Sequence, residues 1–213
     1  MRKDIDGFDI ESFDLDDILV QNGMIDEYLY LQNIRNRRLF LTGEIKEKSV
    51  GDVVKNILKY NSEDKGKATE ERTPVLLYIS SEGGDVDSGF MLIDVIENSK
   101  TPVYVINLGY CYSMAFIIYL AGHKRYASKN SKFMVHDGSS YVGGSTGKAK
   151  DTMDFIDAIE KRIKSYIVSR TKISAQKYTK NFRREWYMYA DEAKSYGVCD
   201  FILGEDVDID DIA

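Results

Sequence analysis

Two largely apolar runs, Pro74-Val75-Leu76-Leu77-Tyr78-Ile79 and Val103-Tyr104-Val105-Ile106-Asn107-Leu108, organise this chain. They lack the alternation of a half-exposed strand and suit parallel strands buried on both faces. Gly83-Gly84 closes the first. From Asp85 to Asn98, Val86, Phe90, Ile93 and Ile96 recur at three- and four-residue steps, and Pro102 stops the helix they predict. Strand, glycine turn, helix and strand make a βαβ unit with a right-handed crossover, so the fold class is α/β. Upstream, Arg38 to Gly43 reads as a short strand and Val50 to Tyr60 as helical, while the lysine- and glutamate-rich passage Asn61 to Arg72 breaks all periodicity and reads as a surface spacer. Downstream, Met114 to Ala121 is an apolar helix and Phe133-Met134-Val135-His136 is strand-like. Across 147–170 the residues Met153, Ile156, Ile159, Ile163 and Ile167 form the stripe of a long amphipathic helix, fit either to cover the sheet or to pack on another subunit.

Charge divides the chain. With 213 residues and 43% hydrophobic composition it supports one substantial core, read as one domain with tails. Residues 1–27 hold nine acidic and two basic side chains and residues 204–213 hold five acidic and none basic, so the overall charge of −6 hides a middle that is net positive. Such ends are expected to be solvated extensions, with partner docking as the sharper alternative. No segment approaches the roughly 20 apolar residues of a membrane span, and the acid-rich start lacks the order of a signal peptide. Cys111 and Cys199 have neither disulfide-framework nor metal-site spacing, which suits buried thiols in a reducing, cytoplasmic setting. No Walker-type nucleotide-binding run is present. No cofactor, metal, nucleic-acid or membrane partner is expected.

Candidate chemistry lies where the second run ends. Ser113 sits in Gly109-Tyr110-Cys111-Tyr112-Ser113-Met114-Ala115, a glycine-led turn into the apolar helix. A serine at a helix's first turn faces unpaired N–H groups and the positive end of the helix dipole, which makes the Met114 amide a donor for a developing oxyanion. Gly83-Gly84, at the end of the first strand, lets backbone approach a bound carbonyl closely and offers a second donor in Gly84, although alone the pair reads as a plain strand-to-helix turn. His136 is the candidate general base. Taken alone it is as well explained as a structural histidine; the other histidine, His123, lies in a polar turn and reads as surface.

These segments, in this order, resemble the proteolytic subunit of the Clp protease family. The resemblance rests on Ser81-Glu82-Gly83-Gly84, the nucleophile turn Gly109 to Met114, Met134-Val135-His136 and the block Ala190 to Asp200, and runs from about Leu39 to Leu203. It implies a Clp protease/crotonase-like crossover β-α spiral, within the α/β class, with a protruding strand-helix handle at 137–170. The protease domain would span 35–203, between an acidic N-terminal extension at 1–34 and an acidic tail at 204–213. It further implies a serine endopeptidase acting on unfolded polypeptides, assembled as two stacked seven-membered rings and fed by an AAA+ ATPase unfoldase. Site residues carried over are Ser113, His136 and, at the position of the family's aspartate, Glu185, with an oxyanion hole from Gly84 and Met114 and substrate contact at Gly83. Asp137, the rival third member, should face away from its neighbour His136. The chain departs from the pattern at Glu82, Cys111, Ala115, Gly138 and Glu185. Tyr112 and Tyr141 are candidate pocket residues that core packing explains equally well.

Three other readings stand beside this one. A catalytically silent subunit of a mixed ring would follow if Glu185 fails to align His136. A prohead-type processing protease would cut a few specific sites, and an acyl-CoA enzyme of the crotonase type would use two backbone amides without a serine nucleophile.

Overall fold

The computed structural model describes residues 16, 19, 20, 22–140 and 142–212, so most of the acidic leader and Tyr141 lie outside the described residues. The chain divides into two units, residues 1–38 and 39–213. In the first, helix α1 (Ile25–Arg35) buries none of its side chains and is tied to the preceding chain through Asp16, which accepts from Gln32 Nε2 at 2.7 Å and from Arg35 Nη1 at 2.6 Å.

The second unit holds the sheet. Strand β1 (Arg38–Ile45) opens it, with helix α2 (Glu47–Glu63) following, and Val50, Val53, Ile57 and Tyr60 of α2 are buried at the spacing of one helical face. Strand β2 (Val75–Gly84), helix α3 (Val86–Glu97) and strand β3 (Val103–Tyr112) form the expected βαβ unit, with Asp85 capping α3 through the Ser88 amide at 2.8 Å. Helix α4 (Met114–Leu120), strands β4 (Lys124–Ser128) and β5 (Lys132–Val135), helices α5 (Thr146–Arg170) and α6 (Ala175–Asn181), strand β6 (Trp186–Tyr189), helix α7 (Ala190–Ser195) and strand β7 (Phe201–Leu203) complete it. Sheet order is β1-β2-β3-β4-β7, with β5 also beside β3 and β6 beside β5. Only the β5–β6 pair among the registered ones is antiparallel. The architecture is α/β with a mostly parallel sheet.

Strand β3 is longer than its apolar run, and the reason bears on the site. Its first half pairs with β4, from Tyr104 opposite Lys124 to Asn107 opposite Ala127. Its second half leaves β4 and pairs with β5, from Tyr110 opposite Lys132 to Tyr112 opposite Met134. Asn107 marks the fork. Fully buried within an otherwise apolar run, it donates to the Lys132 carbonyl at 2.9 Å and accepts from the Gly109 amide at 3.0 Å, meeting the backbone groups that the change of partner exposes. Ser113 therefore follows directly on a paired strand, with no intervening glycine loop.

The passage Asn61 to Arg72 also differs from a free spacer. Helix α2 continues to Glu63, and Asn61 Oδ1 accepts from the Lys100 and Thr101 amides at 3.0 and 3.1 Å. The Thr101 hydroxyl donates to the buried Asp64 carboxylate at 3.1 Å and accepts from Arg72 at 3.3 Å. The acidic tail likewise returns to the core, where Ile212 packs with Leu76, Ile106 and Tyr126. His123 is exposed, as expected, and accepts a hydrogen bond at Nδ1 from the Val103 amide at 3.1 Å. Both cysteines are buried and unpaired, and burial pushes the Cys199 thiol up to about 12.

Helix α5 is buried only at its root. Ile167 is its one buried residue, while Met153 and Phe155 are 48% and 66% exposed. At that root Arg170 donates through Nε to the Leu120 carbonyl at 2.9 Å and through Nη2 to the Gly122 carbonyl at 3.0 Å, satisfying acceptors at the C-terminal end of α4. The Arg170 carbonyl in turn accepts from Arg125, whose guanidinium is bound to Asp200 at 2.7 Å. Replacing Arg170 by Met keeps the aliphatic stem but strips these donors. It should lower unfolding free energy by about 1–3 kcal/mol, seen as a lower urea midpoint with an unchanged m-value.

Candidate active site

Ser113 occupies the junction of β3 and α4 with φ 53° and ψ −123°, a backbone conformation a side-chain-bearing residue adopts only when its surroundings compel it. Two hydrogen bonds and a buried helix compel it here. The Ser113 amide donates to the Met134 carbonyl at 2.9 Å, extending the β3–β5 pairing by one bond, and the Phe116 amide donates to the Ser113 carbonyl at 3.0 Å. All seven residues of α4 are buried, so the helix cannot shift to relieve the turn. Ala115, where the family pattern has glycine, sits within that helix, and the Met114 side chain occupies the slot left by the missing side chain of Gly89 on α3.

His136 immediately follows β5, and its Nε2 lies 2.9 Å from Ser113 Oγ. That is the separation at which an imidazole takes a hydroxyl proton. The two side chains reach each other because β5 runs parallel to the end of β3 in a register that sets Met134 opposite Tyr112.

Glu185 is placed by the next pairing. Strands β5 and β6 match Met134 with Tyr187 and Val135 with Trp186, and Glu185 immediately precedes β6. The Glu185 carboxylate is exposed and accepts through Oε2 from the Tyr187 hydroxyl at 2.9 Å; it forms no hydrogen bond with His136. The structure thus joins Ser113 to His136 and leaves Glu185 bonded to Tyr187 instead. Asp137 lies toward α6: its amide donates to the Phe182 carbonyl at 2.6 Å, and its charge joins burial and Glu160 in pushing the Tyr178 hydroxyl up to about 12.

Gly83 and Gly84 bring the end of β2 against this turn. Gly83 has φ +99°, and a Cβ there would lie 2.7 Å from the Tyr112 carbonyl, 2.8 Å from Ser113 Cβ and 2.9 Å from the Met114 nitrogen. Gly84 has φ +147° and lies so close to the backbone of Ile45 that a Cβ would overlap it. No other residue fits at either place. The Gly83 amide donates to Ser81 Oγ at 3.1 Å, and the Met114 amide is in the first helical turn, where the helix offers it no carbonyl. Glu82 is exposed beside this loop.

Around the nucleophile lies an aromatic group that periodicity did not single out as a unit. Tyr110 and Tyr112 have ring centroids 5.0 Å apart, and Tyr187 meets Tyr112 edge-on at 5.6 Å. Tyr187 is thereby in contact with both the turn and Glu185. Its signal in the sequence is the i, i+2 spacing from Glu185 in a strand, visible only once β6 is known to be one. Among the described residues no three or more His, Cys, Asp or Glu side chains are grouped to hold a metal ion.

A strained serine bonded to a histidine, at a helix N-terminus and against paired glycines, is an arrangement for acyl transfer. Sequence comparison agrees. Residues 22–206 match the Clp protease family. The ATP-dependent Clp protease proteolytic subunit 2 of Treponema pallidum is 29% identical over 181 residues, covering 83% of this chain and 86% of that protein. The corresponding subunit 2 of Treponema denticola is 30% identical over 186 residues, covering 86% of this chain and 90% of that protein. With the family match spanning most of its length and the serine and histidine in contact, the chain belongs to the Clp protease family, has that family's crotonase-like α/β fold, and is a serine-type endopeptidase.

Proposed function

We propose that this chain is the proteolytic subunit of a self-compartmentalising, ATP-dependent Clp-type protease that hydrolyses peptide bonds of unfolded polypeptides in the cytoplasm. The 2.9 Å contact between His136 Nε2 and Ser113 Oγ carries this reading. Ser113 attacks the scissile carbonyl carbon while His136 takes its proton. The carbonyl oxygen becomes an oxyanion that accepts from the Met114 and Gly84 amides, and Gly83 supports the bound backbone. His136 then protonates the departing amine as the C–N bond breaks. Water, deprotonated by His136, releases the acyl group and restores Ser113. Glu185, turned from Tyr187 to the imidazole, is the carboxylate that holds the histidine and stabilises its charged form.

Assembly follows from the surface of α5. A 25-residue helix with Met153 and Phe155 exposed and only Ile167 buried leaves its apolar stripe for a second copy of the chain. This supports two stacked seven-membered rings, with residues 137–170 as the handle between them, residues 35–203 as the protease domain, and residues 1–34 and 204–213 as acidic extensions. The substrates reach the chamber through an AAA+ unfoldase, since the chain carries no nucleotide-binding run of its own. Among the described residues no helix is long and apolar enough to cross a membrane.

One observation favours a second reading. Because the Glu185 carboxylate rests on Tyr187, a subunit silent until a ring or partner reorients that side chain also fits.

Incubation with a fluorophosphonate, followed by intact mass and peptide mapping, should give one adduct on Ser113, absent in Ser113→Ala. An assembled oligomer without an adduct overturns the active reading in favour of the silent subunit. Ser113→Ala should reduce peptide cleavage by about 10⁶-fold, by analogy with removal of other triad serines, with assembly intact by sedimentation. Gly83→Ala should reduce kcat by at least about 10²-fold, the scale of losing one oxyanion donor, because its Cβ would enter the space of Ser113 and Met114. Circular dichroism should show the fold retained.

A further inference from the structure

We propose that the acidic tail is a tethered plug: Ile212 fills a site on the outer face of the sheet that accepts, from a partner protein, an aliphatic side chain set among carboxylates. The inference goes beyond the catalytic reading and does not depend on it.

Register divides the sheet into two faces. On one lie Val75, Leu77 and Ile79 of β2 with Val103 and Val105 of β3, none more than 1% exposed, and helix α4 packs on both strands. The other carries Leu76, Tyr104, Ile106 and Tyr126, aligned by the pairing of Leu76 with Tyr104 and of Ile106 with Tyr126. A parallel sheet needs cover on both faces. On this second face the tail supplies it: Ile212 is 3% exposed and packs with Leu76, Ile106 and Tyr126, and Val207 packs against the same group. The cover is incomplete. Phe40, stacked on Tyr78 at 5.1 Å, and Leu108, two residues beyond Ile106, stay 51% and 45% exposed, so apolar surface continues past what the tail reaches.

The plug is lightly held. Asp208 to Asp211 are exposed, with a single 3-10 turn at Ile209–Asp211, and the tail's anchors are surface bonds. Lys194 meets Asp206 at 2.5 Å, Lys129 meets Glu205 at 2.8 Å, and the Ile202 amide donates to Asp206 Oδ2 at 2.6 Å. A segment with few buried contacts and exposed bonds opens at low cost. It is also an appendage. The family match ends at residue 206, so the strands that build the face lie inside it and Ile212 lies outside. Charge describes the ligand. The five carboxylates of 204–213 run past Lys129 and Lys194, and Lys124 stands 4.8 Å over the Tyr104 ring. Cations around an apolar floor select an apolar residue among acidic ones, which is the pattern of Asp208-Ile209-Asp210-Asp211-Ile212 itself. Because the tail is attached, it competes at high effective concentration, and a partner enters only as the tail leaves.

The test uses the full-length chain carrying Ser113→Ala, so that the probe is not cleaved, and a fluorescein-labelled peptide of residues 204–213 followed by anisotropy. Adding Ile212→Asp empties the site and should tighten peptide binding by at least about tenfold, since a site open one-tenth of the time binds tenfold more weakly. The same peptide carrying Ile212→Asp should not bind. Asp206→Asn loosens the tether without touching the sheet and should tighten binding by about two- to fivefold, the scale of an exposed ion pair. No binding to a folded Ile212→Asp chain makes Ile212 core packing alone and overturns the proposal. Equal binding with and without Ile212→Asp also overturns it, since the peptide then sits elsewhere. If Ile212→Asp does not fold, Asp206→Asn decides, and binding no tighter than that of the parent chain ends the proposal. A larger oligomer for Ile212→Asp by sedimentation assigns the bared face to a second copy of the chain and overturns the partner.

Discussion

The site depends on one strand changing partners. Strand β3 serves β4 along its first half and β5 along its second, and the bond from the Ser113 amide to the Met134 carbonyl is the last of that second pairing. Without it the chain would leave β3 free to relax, and a serine held at φ 53° would return to an ordinary conformation. Backbone strain of this kind costs on the order of 1–3 kcal/mol and persists only where surrounding structure over-determines it. Here the pairing fixes the turn from the strand side and the buried α4 fixes it from the helix side. At the fork the Asn107 side chain bonds to Lys132 at the start of β5 and to Gly109 of β3 itself.

From that junction the other groups follow by register. Parallel pairing of β5 with β3 carries His136 to Ser113, and antiparallel pairing of β6 with β5 sets Tyr187 opposite Met134. The glycines reach the same point from β2, where any side chain at Gly83 would meet the nucleophile turn. Four separate segments converge because each runs in one sheet whose spacing is set by backbone hydrogen bonds. Side-chain chemistry enters only at the last step, in the Ser113–His136 contact and the Tyr187–Glu185 bond.

Much of this framework was legible in the sequence, and the failures are instructive. The runs around Leu76 and Val105 announced buried parallel strands, and the stripe from Met153 to Ile167 announced the long helix, because both patterns are periodic. The extension of β3 to Tyr112 was not legible: Gly109, Tyr110 and Cys111 carry no strand pattern, and they are extended because β5 pairs with them. Asn61, Asp64 and Arg72 looked like a spacer since local composition cannot reveal that Thr101 waits some 30–40 residues away to bind them. Ile212, a lone apolar residue in an acidic tail, was hidden for the same reason. At the site, Ser113, His136 and the glycines were readable as motifs. The contacts of Tyr187 were not, since Tyr112 reaches it from another strand and its i, i+2 spacing from Glu185 has meaning only once β6 is known to be a strand.

Helix α4 links the exposed part of the molecule to the strained part. Its seven residues span about 10 Å at the rise of an α-helix. Ser113 caps one end, and the Leu120 and Gly122 carbonyls at the other accept from Arg170, the last residue of α5. Every α4 side chain is buried, with Phe116 and Tyr119 both set against Phe133 of β5, so the rod has no soft segment in which a displacement could dissipate. A rotation of α5 about its root must therefore either break the Arg170 bonds or move α4 against β5. Moving α4 against β5 would alter the one pairing that holds Ser113 toward His136. The root of the long exposed helix and the nucleophile are thus joined by a short buried path through Arg170 and α4.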